Sequence, residues 1–158
     1  MRNMLYSTNQ KGSTVAEFAI VSGLFFMIIF GIIEFGRLLY THNALTDAAR
    51  RGARYAVLHG KNITCVKNVV IYGETHVGAG STCPPTGPAL INGLTPDNVV
   101  VDYDPPATYD MNNGTATVKI QNYQFNLSIP FFRQRLTMPA YTTTLTAESA
   151  GRIPADIP

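Results

Sequence analysis

The stretch that decides the fold is Gly12–Ala56, GSTVAEFAIVSGLFFMIIFGIIEFGRLLYTHNALTDAARRGARYA, because its first half reads as a membrane span and its second as an amphipathic helix. No residue from Phe18 to Ile33 is charged. With Ser13–Glu17 added, the segment reaches about 20 residues, the length a helix needs to cross a hydrocarbon core of roughly 30 Å. A secretory signal would place a small-residue cleavage site after its apolar run. Here the chain continues into EFGRLLYTHNALTDAARRGARYAVLHG without one, so the segment is expected to be retained as a single transmembrane helix.

Proline is absent from Met1 through Thr82, which predicts an unbroken helix over 14–58. Its outer half carries a small stripe, Ala44, Ala48, Gly52 and Ala56, spaced four residues apart on one face. Asp47, Arg50, Arg51 and Arg54 lie opposite, with Asp47 one turn from Arg51. The favoured partner for the stripe is the core of the chain's own exported domain. Helix packing between subunits is the other reading, since small residues permit close approach.

Glu17 stands about one turn inside the span. A carboxylate at the bilayer centre costs about 2.5 to 3.5 kcal/mol, so it calls for a partner. No Lys or Arg occurs between Ser13 and Ile33. The partner is therefore another chain, lipid or water, or an amino group made by cleavage; the plainer reading is a glutamate favoured by the helix N-terminal dipole. Glu34 and Arg37 are expected to mark the outer membrane boundary and to pair across one turn. Basic residues flank both ends of the span, so the positive-inside rule leaves orientation open.

A short basic leader ending in Gly12, an apolar helix and a glutamate at the fifth position after the glycine together resemble type IV prepilins. The IIEFGR turn at Ile32–Arg37 and the DAARRGARYA run at Asp47–Ala56 narrow the resemblance to TadE-like minor pilins, or pseudopilins, of tight-adherence pilus systems. That resemblance implies cleavage after Gly12 by a prepilin peptidase, with Ser13 as the new N-terminus. Glu17 would then neutralise the Ser13 ammonium of a neighbouring subunit. It further implies other pilin subunits, the Tad pilus machinery and the membrane as partners. The expected location is the bacterial inner membrane, single-pass, with a cytoplasmic N-terminus, an exported C-terminal domain and a place in an extracellular pilus. A minor subunit is favoured because the major pilins of such systems are much shorter.

An α+β build follows from these readings, with four segments: a leader (1–12), a transmembrane helix (13–35), the exported half of the helix (36–59) and a β-rich exported domain (60–158). In an oxidising compartment Cys65 and Cys83 are expected to pair, a crosslink that stabilises by about 3 kcal/mol. After Gly60 the composition shifts to Thr, Asn, Gly and Pro, with all ten prolines between Pro84 and Pro158. The strongest strand is 115–125, where Ala116, Val118, Ile120 and Asn122 alternate with polar residues. Asn113-Gly114 signals a hairpin turn back to a partner strand at 99–103. A third strand is expected at 141–147 and a short fourth at 69–72.

Other functions find little support. A net charge of +2 without clustered Lys and Arg argues against nucleic acid as a partner. His42, His59 and His76 are too dispersed for a metal pattern, and the two cysteines lack zinc-site spacing, so no metal and no cofactor is expected. No nucleophile elbow or phosphate-cradling loop appears, and the chain is not expected to be an enzyme. The Asn62, Asn113 and Asn126 glycosylation-type triplets are given no role. Phe131, Phe132 and Tyr109 are expected in the core ahead of an adhesive patch. The alternative function is a signal-anchored periplasmic or surface binding module, an adhesin not incorporated in a pilus.

Overall fold

A computed structural model describes residues 11–59, 61–73, 83–84, 87–106, 114–128 and 134–147. Helix α1 runs over Lys11–His59, 49 residues without a break. At 1.5 Å per residue it spans about 74 Å, enough to cross a bilayer and continue well beyond it. Among the described residues its apolar stretch touches almost nothing: Phe18, Ile20, Leu24, Ile28 and Ile32 are all more than half exposed. An apolar surface on every side of a helix is what a lipid environment accepts. The long apolar N-terminal helix fits a single-pass membrane anchor.

The outer half of α1 supplies one wall of the core. Leu45, Ala48, Ala49, Ala53, Ala56 and Val57 are fully or almost fully buried, at the three- and four-residue spacing of one helix face. Helix α2, Ile63–Tyr72, packs there with Val66 and Val70 at zero exposure. Asn62 caps α2 by accepting the Cys65 N–H at 3.1 Å. Gly73 closes it with φ 91° and donates its N–H to the Val69 carbonyl, a conformation that favours glycine. The expected strand at 69–72 is therefore incorrect. Its Val-Val-Ile run belongs to a helix because Cys65, Val66, Val69 and Val70 recur at helical spacing and bury one face on α1.

Strands β1 (Val99–Asp104), β2 (Thr115–Ile120) and β5 (Tyr141–Thr146) form an antiparallel sheet in the order β1-β2-β5. Val101 faces Val118, and Val118 in turn faces Thr143. Ala116, Val118 and Ile120 alternate inward with zero exposure, as the period-two pattern predicts. The strand does not continue to Phe125, however. Asn122 turns the chain at φ 57°, and the Asn98 side chain donates to the Gln121 and Asn122 carbonyls at 3.1 and 3.2 Å. After this bend β3 (Gln124–Asn126) leaves the sheet and pairs with β4 (Arg135–Thr137) in a second, two-stranded sheet. The whole is α+β, a long helix leading into small antiparallel sheets.

Candidate assembly and membrane-boundary site

Gly12, Ser13 and Glu17 all lie on the exposed first turns of α1. A side chain at Gly12 would meet no atom within 4 Å, so packing does not require glycine there. Among the described residues Glu17 has no ion pair. It is a solitary carboxylate at one end of an apolar cylinder.

The carboxylate at the other end is held quite differently. Glu34 retains 6% exposure and accepts the backbone N–H of Ser128 at 2.8 Å. The Arg37 guanidinium lies 3.4 Å from its other oxygen, one turn up the helix. That guanidinium also donates to the Asn126 carbonyl at 2.7 Å and rests 4.8 Å from the centre of the Phe125 ring. Glu34 and Arg37 do pair across one turn, and together they also fasten α1 to the β3 strand. The sequence gives no sign of this second role, because the partners are backbone groups about 90 residues away.

Above this clasp, an open cleft of about 500 Å³ runs between α1 and the 90–93 and 123–128 segments, with Arg37, Tyr40, Ala44, Ile91 and Tyr123 along its walls. Burial raises the Tyr123 hydroxyl pKa above its ordinary value, partly offset by Arg37, while that hydroxyl donates to the Asn92 carbonyl at 2.7 Å. Burial also raises Tyr141, whose hydroxyl sits 2.8 Å from His42 Nδ1.

The small stripe faces inward. Ala48 and Ala56 have zero exposure and Ala44 is partly buried. A Cβ built on Gly52 would lie 2.3 Å from Val70 and 3.3 Å from Val118. The chain's own α2 and β2 thus occupy the face that close packing between subunits would need. On the opposite face Asp47 pairs with Arg51, and Arg50 and Arg54 are exposed. Cys65 and Cys83 form a disulfide, with their Cα atoms 5.2 Å apart. His59 stacks on Tyr55, and among the described residues no three His, Cys, Asp or Glu side chains gather. Phe131, Phe132, Tyr109 and His76 lie outside the described residues.

An apolar N-terminal helix whose outer half carries a small antiparallel sheet defines the class, an α+β domain on a helix that fits a single-pass membrane anchor. Residues 12–54, the first and middle parts of that helix, match the family model described as TadE-like protein, a likeness that does not extend into the rest of the chain. No curated protein and no solved structure matches the chain at a significant level.

Proposed function

We propose that this chain is a minor pilin-like subunit, processed after Gly12 by a prepilin peptidase and acting in the assembly of a tight-adherence pilus. The observation that carries the reading is Glu17, exposed and without an ion pair among the described residues, five positions beyond the glycine at which the family match begins. Cleavage creates an ammonium at Ser13 on each subunit. In lipid, where an unpaired carboxylate is costly, Glu17 of one subunit and Ser13 of the next neutralise each other and set the axial stagger of neighbouring helices. The N-terminus is cytoplasmic, and the domain that carries the disulfide lies outside, where oxidation maintains it. The chain catalyses no reaction; its work is association with other subunits and the pilus machinery.

Substituting Glu17→Ala tests this role. The expected outcome is normal membrane insertion with loss of co-purifying pilus subunits and of fibres. Normal fibres from Glu17→Ala cells would contradict it. The cleft beside Tyr40 is the observation that favours a second reading, an anchored binding module that never enters a pilus.

A further inference from the structure

We infer that the edge of the β3–β4 hairpin is a second membrane contact, which rests on the phosphate layer of the same bilayer that holds α1. This rests on the reading of α1 as a membrane span.

The hairpin has a definite depth. Glu34 directly follows Ile33, the last residue of the uncharged stretch, and Arg37 stands about 4.5 Å further along the axis. β3 descends along α1 toward the membrane. Asn126 is bonded at the level of Arg37 and Ser128 at the level of Glu34. The return strand matches this depth, because the Leu127 N–H reaches the Gln134 carbonyl and Asn126 pairs with Arg135. The membrane-proximal described residues of the hairpin, Ser128 and Gln134, therefore lie nearest the apolar zone. Ser128 stands at the height of Glu34, where the uncharged stretch of the helix ends.

The surface presented there suits anionic headgroups. All three β4 residues are exposed, including Arg135, with Leu136 at 42%. Arg37 stands beside the hairpin with its side chain 47% exposed, its guanidinium engaged by Glu34 and the Asn126 carbonyl. The acid at this height, Glu34, is buried and already bonded to the hairpin and to Arg37, so it is not turned toward the exposed Arg135. Arginine matches phosphate geometry through paired N–H donors, and juxtamembrane cations are drawn to anionic lipid.

The test uses the full chain with its disulfide intact, in vesicles containing negatively charged phospholipid and headgroup-level quencher lipids. Single cysteines carry a fluorophore at Leu136→Cys, at Ile28→Cys inside the span and at Arg54→Cys, about 31 Å along the helix from Ile33. The expected result is quenching at Leu136→Cys and none at Arg54→Cys. Quenching at Leu136→Cys should fall when Arg135→Gln is added or when the vesicles are made zwitterionic. An unquenched Leu136→Cys label, with acyl-chain quenchers still reaching Ile28→Cys, overturns the inference. Quenching indifferent to both Arg135 and lipid charge overturns the phosphate contact. An Ile28→Cys label beyond the reach of acyl-chain quenchers defeats the span itself, a distinguishable failure.

Discussion

Gly52 sits where α1, α2 and β2 meet, and the Val70 methyl lies closer than any β-carbon tolerates. Gly52→Ala forces those three elements apart. The resulting overpacking should cost about 1–3 kcal/mol, read as a lower denaturant midpoint of the detergent-solubilised protein. An unchanged midpoint would mean that Val70 moves aside freely. Glu34 poses the opposite problem, a buried acceptor whose removal takes the partner from both the Ser128 N–H and the Arg37 guanidinium. Glu34→Ala should destabilise by about 1–3 kcal/mol and speed amide exchange at Ser128. Glu34→Gln retains an acceptor and should lose less.

Among the elements, α1 and the central strands were legible because their signals are local and long. Sixteen uncharged residues and a helical small stripe announce α1, and the alternation of Ala116, Val118 and Ile120 announces β2. The α2 segment was misread because β-branched residues favour strands only when nothing else decides. Here the Asn62 cap, the Gly73 terminus and a valine face on Gly52 decide for helix. The bend at Asn122 and the β3–β4 sheet escaped for a related reason. Three-residue strands have no period to detect, and what fixes the bend is the side chain of Asn98, more than 20 residues away. The Cys65–Cys83 bond ties α2 to the segment that follows it, at a sequence separation of 18. Reduction, or Cys65→Ser with Cys83→Ser, should lower stability by about 3 kcal/mol and leave the helix content of α1 nearly intact, as read by circular dichroism. A loss of α1 helicity on reduction would show that the long helix depends on the crosslink.

At the scale of the whole molecule the chain divides its two bracketing carboxylates between separate tasks. Glu34 is consumed by intramolecular bonds that join the anchor to the domain. Glu17 has no ion pair among the described residues and is available to another chain. The candidate site was half legible for this reason: Glu17 declares itself as a charge in an apolar run, while the Glu34–Arg37 clasp depends on folding. The small stripe is spent on the internal core, so under the proposed function contacts between subunits fall to the apolar face below Glu34 and to the ammonium that cleavage would create. The account therefore turns on the first residue of the mature protein. Intact-mass and N-terminal analysis of the protein extracted from the membranes of cells that make the pilus measures it directly. The account predicts a chain that begins at Ser13, whereas a membrane form that retains Met1–Gly12 throughout would contradict it.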